Sequence, residues 1–295
     1  MIRCNRLASR NAEPSLSYMT PPVERALQYV RRRSAGAPLS LDQRITLNFH
    51  PDTIASGVTT IESLARDGIY RSQFETNTSN GGMTAYPGGD RWFWESLIFG
   101  GAYDACAGSD LSLRPKYGTL NYRADPVGGS RRFGSCHLRL HPQVLVRTTF
   151  CYPDSHMQPK HFGVGDRMAL IDMAAKNRLA LDMLDDYIEA HVHGPLQVAG
   201  DVEAVVLDPC YRNTPVEDSA RLLPCAVEWH DGFRLSVDRL DDCERYRSAA
   251  AAEAVSSISA GGFVTPLEIG AARAAGMDSQ LTKWAWHCVA RFGQS

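Results

Sequence analysis

An alternating segment that ends in a histidine is the feature that most constrains the fold of this chain. Within residues 44–50, Ile45, Leu47 and Phe49 alternate with polar side chains, which is typical of a strand with one buried face. His50 comes at the end of this strand and belongs to its polar face. The sequence therefore predicts a half-buried strand that delivers a histidine to the start of a loop.

The residues after this strand predict a short helix, a second strand and a polar loop. Thr59 and Glu62 have the spacing of a capping box, and apolar residues then recur at helical spacing until Gly68. Residues 69–74 are predicted to form the second strand. The loop after it ends in residues 79–82, Ser-Asn-Gly-Gly, and its density of small, hydrogen-bonding groups indicates a ligand-binding role.

Mostly short strands are predicted further along the chain. Alternating or apolar runs favour strands at 135–141, 144–150, 187–194 and 202–207, and an apolar stripe favours a helix over 166–185. Only two residues separate the first two of these strands, so they are predicted to pair as antiparallel neighbours. Because strands outnumber helices and regular alternation is missing, the sequence predicts an α+β fold with a mixed, mainly antiparallel sheet and flanking helices.

The pattern of these elements divides the chain into three parts. Residues 1–40 are predicted to form a helical N-terminal segment, residues 41–215 the domain that carries the strands, and residues 216–295 a mostly helical C-terminal extension. A chain of 295 residues is long enough for one large domain with an appended part. We therefore expect the functional residues within 41–215.

Composition excludes several classes of protein. A formal net charge of −2 and a charged fraction of 22% are typical of a globular protein and not of a disordered tail or a uniformly basic nucleic-acid coat, although a local nucleic-acid groove stays open. We find no membrane-length apolar run and no Sec-type signal, so a cytoplasmic protein, or one exported by another route, is expected. The eight cysteines include no C-x-x-C pair, which favours reduced thiols.

Two single residues are candidates for chemistry, and each also has a structural interpretation. His50 at a strand end is most often a histidine satisfied by hydrogen bonds, yet the polar loop beside it favours a functional role. Glu189 lies inside a predicted strand, where glutamate is disfavoured, so either that face is solvated or the carboxylate is used. Tyr187, His191 and His193 share its strand face, which therefore presents four functional side chains.

The two histidines of this strand suggest a second possibility, a metal site. At positions i and i+2, His191 and His193 could chelate an ion together with Asp201 or Asp208, although such a pair arises easily by chance. With His50 they would make a metal-dependent hydrolase in which the ion activates water.

Aromatic residues are concentrated between residues 83 and 134, in long and irregular sequence that includes Trp92 and Trp94. Loops of this length in a compact domain are usually functional or disordered, and so many large aromatic side chains argue against disorder. A non-catalytic binding module would explain these rings, but it would leave Glu189 on a strand without a role.

Several runs between residues 44 and 215 resemble a bacterial family that is known only as a domain of unknown function. The runs are N-F-H-P-D at 48–52, Y-R-S-Q-F-E-T-N-T-S-N-G-G at 70–82, F-G-G-A-Y-D at 99–104, R-P-K-Y-G at 114–118, F-G-S-C-H-L-R-L at 133–140 and D-V-E-A-V-V-L-D-P at 201–209. The family name gives no activity, but the order of these parts resembles a known enzyme fold.

That more distant resemblance is to the ADP-ribosyltransferase superfamily, in the branch defined by histidine, tyrosine and glutamate. It implies a split sheet in which His50 holds the nicotinamide ribose and Glu189 is the catalytic carboxylate. Tyr103, together with Tyr117 or Tyr70, would sandwich the nicotinamide. The implied reaction is cleavage of the nicotinamide–ribose bond of NAD and transfer of ADP-ribose to an acceptor, for which a toxin or effector is one fitting role.

The resemblance also implies which residues contact NAD as the substrate, with no metal ion needed. They are His50, Tyr70, Arg71, Ser72, Gln73, Asn80, Gly81, Tyr103 and Tyr117. Tyr187 stands two residues before Glu189, where arginine-modifying relatives have glutamate, so the macromolecular or small-molecule acceptor is not implied. The chain has no G-x-G-x-x-G run, and NAD would not bind as in a Rossmann fold.

Overall fold

The computed structural model describes residues 18–55, 57–77, 84–177 and 181–293. The described helices are α1 (Pro21–Arg31), α2 (Thr60–Asp67), α3 (Gln73–Thr76), α4 (Asp90–Phe99), α5 (Leu170–Asn177), α6 (Val198–Asp201), α7 (Pro215–Ala220), α8 (Leu240–Tyr246), α9 (Ala249–Ile258), α10 (Pro266–Ala274) and α11 (Ser279–Phe292). The described strands are β1 (Ile45–Phe49), β2 (Ile54–Ala55), β3 (Val58–Thr59), β4 (Ile69–Tyr70), β5 (Lys116–Leu120), β6 (Cys136–Leu140), β7 (Thr148–Tyr152), β8 (His161–Val164), β9 (Ile188–Val192), β10 (Leu196–Gln197), β11 (Val202–Leu207), β12 (Ala226–Trp229), β13 (Leu235–Ser236) and β14 (Phe263–Val264).

One large sheet organises the described part of the chain, with strand order β12-β11-β6-β1-β5-β9-β7-β8. Its neighbouring strands are antiparallel, apart from the parallel pair β11 and β12 at one edge. Helices pack on the sheet and follow it at the C-terminus. The predicted α+β fold with a mixed, mainly antiparallel sheet is confirmed.

Strand β1 lies in the middle of this sheet and is buried on both faces. Its polar side chains are not solvated as predicted, because a loop covers them. The backbone N–H of Gly129 donates to Thr46 Oγ1 at 2.9 Å, and Asn48 Nδ2 donates to the carbonyl of Val127 at 2.8 Å. The expectation of a half-buried strand was wrong, since hydrogen bonds to this loop satisfy the polar face without water.

The predicted helix after β1 is confirmed, and it begins and ends where the sequence predicts. Thr59 Oγ1 accepts from the N–H of Glu62, and the Glu62 carboxylate accepts from the N–H of Thr59, which completes the capping box. Gly68 ends the helix in the left-handed conformation with φ 66°. Helix α2 buries its apolar face against the sheet together with α5 and α7. The backbone N–H of Ile61 donates to the carbonyl of Pro51 at 3.1 Å, which ties α2 to the chain directly after His50.

Two other predicted elements are shorter than expected. The strand predicted over 69–74 ends at Tyr70, because Ser72 forms a capping box with Glu75 and starts α3. The helix predicted over 166–185 is described only as α5. Local hydrogen bonding by a serine hydroxyl has thus overridden the apolar pattern of the second strand.

The antiparallel pair predicted from residues 135–150 was wrong. β6 pairs with β1 and β11, whereas β7 pairs with β8 and β9 on the other side of the sheet. Between them, Pro142–Arg147 forms a 3-10 helix in place of a two-residue turn. This helix carries the chain away from β6, and the two strands end up separated by β1, β5 and β9.

The C-terminal part is joined to the sheet and has its own core. Strand β12 adds to the sheet edge, so the boundary predicted at residue 215 does not coincide with the end of the sheet. Helices α9, α10 and α11 surround a second apolar cluster that includes Trp286, and Val127 and Leu184 from the sheet side join this cluster. Cysteines in the described residues are free thiols. No helix in these same ranges is long and apolar enough to cross a membrane.

Replacement of Gly134 by alanine is expected to destabilise the protein. The backbone at Gly134 passes so close to β1 that an added Cβ would lie 2.1 Å from the carbonyl carbon of Phe49. Because backbone cannot move aside as a side chain can, we expect Gly134→Ala to lower the free energy of unfolding by about 2 to 3 kcal/mol. Urea unfolding measures this loss.

Gly200→Ala is the matched control, since no atom lies within 4 Å of a Cβ built there. It should change the free energy of unfolding by less than about 0.5 kcal/mol. Equal unfolding midpoints for the two variants would contradict the close approach of the loop to β1.

Candidate functional site

A cleft of about 610 Å³ lies between the polar face of the sheet and the C-terminal helices. Five of the residues predicted to form the site line it, namely His50, Tyr70, Gln73, Tyr117 and Glu189. The cleft is thus formed by strands from the middle of the sheet and by the turns that follow β1 and β4. Its volume is in the range of small-molecule and cofactor sites.

Strand register explains why His50 and Glu189 share this cleft. Thr46 of β1 is opposite Thr119 of β5, and Thr119 is opposite Glu189 of β9. Residues paired in this way point to the same face of a sheet, and His50, directly after the end of β1 and four residues from Thr46, keeps that parity. One strand lies between β1 and β9, so their backbones are roughly 10 Å apart across the sheet, and His50 lies roughly a further 13 Å along the strand direction from the row of Glu189.

Glu189 is a buried carboxylate held by three neighbours. Its Oε1 accepts from His191 Nε2 at 2.9 Å, and its Oε2 accepts from Ser155 Oγ at 3.1 Å. Burial would raise the pKa of Glu189, but the hydrogen bond and charge of His191, followed by the charge of Arg91, hold the pKa below its usual value. The side chain is only 6% exposed, and that exposed part faces the cleft. An ionised carboxylate is thus presented to a ligand.

A chain of buried hydrogen bonds orients His191. The Tyr103 hydroxyl is hydrogen-bonded to His193 Nδ1 at 2.7 Å, and His193 Nε2 is hydrogen-bonded to Thr149 Oγ1 at 2.9 Å. Thr149 Oγ1 is in turn hydrogen-bonded to His191 Nδ1 at 3.1 Å, and His191 Nε2 donates to the Glu189 carboxylate. Because the hydroxyls of Thr149 and Tyr103 can each donate or accept, the chain is satisfied whichever ring nitrogens carry the protons. Tyr103 therefore acts through this chain and not on the cleft surface.

A buried ion pair supports Tyr117, whose ring lines the cleft. Glu95 and Arg114 form an ion pair at 2.7 Å, and each side chain is 1% exposed. Tyr117 hydroxyl donates to Glu95 at 2.9 Å, while the Arg91 guanidinium lies 4.1 Å from the centre of the Tyr117 ring. Burial raises the pKa of Glu95 in spite of these cations. The position of the Tyr117 ring is fixed on one face and at its hydroxyl.

His50 faces the C-terminal helices across the cleft. The edge of its ring meets the Trp286 ring with centroids 4.7 Å apart and planes at 86°. Burial, followed by the positive charge of Arg273, holds the pKa of His50 well below its usual value. At neutral pH this imidazole is uncharged, so it can donate one hydrogen bond and accept another.

Other predicted site residues lie away from the cleft or outside the described chain. Arg71 is ion-paired with Asp67 at 2.7 Å, and Ser72 donates to the carbonyl of Leu111 at 3.0 Å besides capping α3. Tyr103 is buried beneath the cleft, as described above. Asn80 and Gly81 lie outside the described residues. Ser72 and Tyr103 thus have structural partners within the protein.

Sequence analysis missed several cleft residues. They are Arg91, Arg132, Ser155, Arg273, Lys283, Trp286 and His287. Three of these come from α11, in the run K-W-A-W-H at 283–287, where a lysine and a histidine four residues apart share one helix face. That spacing was the available signal in the sequence. Arg91 and Ser155 had none, because only the tertiary fold brings them to Glu189.

Residues that could hold a metal ion are found around the same carboxylate. Among the described residues, Cys151, Glu189 and His191 are close enough to share an ion, with ligand atoms within 4.8 Å of one another. Burial and then the charge of Glu189 raise the pKa of the Cys151 thiol well above its usual value, so the thiolate that a metal prefers is disfavoured. His191 and His193 already use both ring nitrogens in hydrogen bonds. An ion would have to replace these bonds.

One family model matches most of the chain. It is described as a protein of unknown function, DUF3626, and it matches residues 44–177 and 168–291. Together these segments include every residue that lines the cleft. No curated protein matches the chain. The predicted membership of a family of unknown function is confirmed.

Arg114→Met is expected to destabilise the protein strongly. It leaves the Glu95 carboxylate buried without its partner, which typically costs about 3 to 5 kcal/mol. We expect this loss in the free energy of unfolding by urea, together with weaker ordering of the Tyr117 ring that Glu95 holds.

Arg245→Met provides the comparison, since Arg245 pairs with Asp242 on the surface and its side chain is 70% exposed. A surface pair contributes less than about 1 kcal/mol. Similar stabilities for the two variants would show that the buried pair stabilises the protein no more than a surface pair does.

Proposed function

This chain belongs to the DUF3626 family, whose function is unknown, and we propose that it is a NAD-dependent ADP-ribosyltransferase. The observation that carries the proposal is the convergence of His50 and Glu189 on one cleft that aromatic rings also line. These residues come from β1 and β9, far apart in the chain, and only the fold brings them together. The acceptor, a toxin or effector role, and cytoplasmic location or Sec-independent export stay predictions.

The environment of Glu189 suits the chemistry of nicotinamide release. Cleavage of the nicotinamide–ribose bond passes through a state with positive charge on the ribose, as in glycoside hydrolysis. An ionised carboxylate at a fixed position stabilises that charge where it develops. His191 and Ser155 hold the two Glu189 oxygens, so little reorganisation is needed during the reaction.

The remaining cleft residues suit the binding of a dinucleotide. Tyr70 and Tyr117 offer rings against which nicotinamide can stack, and Gln73 has a buried Oε1 with no partner among the described residues. His50, as a neutral imidazole that lines the cleft, would hold a ribose hydroxyl. Tyr103, which the resemblance implied as a stacking residue, is assigned instead to the chain that orients His191. Together these contacts would hold the nicotinamide–ribose bond of NAD beside Glu189.

Glu189→Gln is expected to reduce turnover by about 100-fold to 1,000-fold with little change in NAD affinity. The amide keeps the shape of the side chain but removes the charge that acts in the transition state. Nicotinamide release from NAD measures turnover, and titration with NAD measures affinity. Glu228→Gln, on the sheet edge and paired with Arg139, is the control that should keep full activity.

Normal turnover of Glu189→Gln would remove this carboxylate from the mechanism. The same assay with a chelator separates the alternative function. Activity that survives chelation supports the transferase, whereas activity lost to chelator and restored by zinc would favour the metal-dependent hydrolase.

His50→Ala is expected to weaken NAD binding by about tenfold and to lower the rate as well. A donor that orients the ribose acts in the ground state and in the transition state alike, so both quantities change. His161→Ala, at the exposed start of β8, should leave both unchanged. A His50→Ala protein with unaltered NAD affinity would argue against ribose binding at this wall.

A further inference from the structure

The C-terminal side of the cleft carries basic side chains from three separate elements. Arg273 belongs to α10, Lys283 and His287 belong to α11, and Arg132 lies in the 3-10 turn at 131–133; all four line the cleft. Lys283 and His287 are four residues apart on one helix, so they share a face. Folding, and not a run of basic sequence, gathers these groups.

The protein neutralises these charges only in part. Arg132 is ion-paired with Asp185. Arg273 donates to Thr53 Oγ1 at 2.9 Å, but its distance to the Asp52 carboxylate is 3.9 Å, at the outer limit of an ion pair.

Lys283 and His287 are the least satisfied members of this group. Within the ranges that the structure describes, Lys283 has no hydrogen-bond or ion-pair partner. His287 is 3% exposed, and its Nδ1 likewise has no partner there although the side chain lines the cleft. Burial, followed by the charge of Arg247 and of two other nearby cations, lowers the pKa of His287 to about 3. It is thus a neutral imidazole, which can present an N–H to the cleft, beside an unneutralised lysine.

The backbone at the start of α11 does not supply this recognition. The Asp278 side chain accepts from the N–H groups of Gln280 at 2.9 Å and Leu281 at 3.0 Å, which caps the helix. An anion in this part of the cleft would therefore be held by side chains.

We infer that Lys283, His287 and Arg273 form an anion subsite that binds a phosphate or diphosphate group of the ligand. A lysine, a guanidinium and an imidazole offer more donors than one carboxylate can accept, whereas the oxygens of phosphates accept several charge-assisted hydrogen bonds. The subsite and Glu189 line the same cleft, so a ligand of dinucleotide size can reach both. This inference rests on the proposed function only where it assumes that the other end of the ligand reacts at Glu189.

Titration of the full chain with inorganic pyrophosphate by calorimetry tests the subsite. We expect Lys283→Gln to weaken pyrophosphate binding about tenfold or more, because a charge-assisted hydrogen bond is lost. Lys283→Arg keeps the charge and should retain most of the affinity. Lys176→Gln, on an exposed position of α5, should bind as the unaltered protein does.

The inference is overturned if pyrophosphate does not bind the unaltered protein, or if Lys283→Gln and Lys176→Gln bind it equally well. Circular dichroism establishes that each variant is folded. If Lys283→Gln does not fold, Arg273→Gln carries the same test with the same expected loss.

Competition with NAD identifies the source of the phosphate. Displacement of pyrophosphate by NAD assigns the subsite to the diphosphate of NAD, and simultaneous binding of both assigns it to a phosphate on the acceptor. A protein that binds pyrophosphate through Lys283 but releases no nicotinamide would support the subsite and overturn the transferase.

Discussion

The hydrogen bond from His191 to Glu189 is the interaction on which the geometry of the cleft depends. A carboxylate buried in a sheet is costly unless other groups compensate its charge. Here compensation requires β9 to lie between β5 and β7, since Thr149 from β7 fixes the ring of His191 and the Tyr117 ring from β5 meets its edge. The orientation of the Glu189 carboxylate therefore depends on the central position of β9 in the sheet.

The need to compensate the buried charge of Glu189 also explains why residues 90–117 form so much buried structure around Glu189 and His191. Phe99 of α4 packs edge-on against both His191 and His193, and the segment after α4 supplies Tyr103 to the same hydrogen-bond chain. Phe99 and Tyr103 thus cover the hydrogen bonds below Glu189 and do not face the cleft. Fewer aromatic residues of this region face the cleft than their number in the sequence suggests.

Local signals could be predicted from the sequence, and long-range ones could not. The presence of strands before His50 and around Glu189 and the capping box at Thr59 depend on neighbours within a few residues, so their patterns were sufficient, whereas the burial of the polar face of β1 depends on a distant loop and was not predicted. The partners of β6 and β7 depend on pairing across the sheet, which two residues between strands do not determine. Lys283 could not be placed because helical spacing shows a shared face without showing what that face meets.

The two walls of the cleft come from separate stretches of chain, with Glu189 and its supports on the sheet and the cationic groups on α10 and α11. Substitutions in the two helices can alter which ligand is held without disturbing the buried carboxylate. Natural variation can therefore change the charge and shape of the helical side while the hydrogen bonds around the carboxylate are kept. In a family built on this plan, the chemistry of the helical side can diversify more readily than the buried carboxylate.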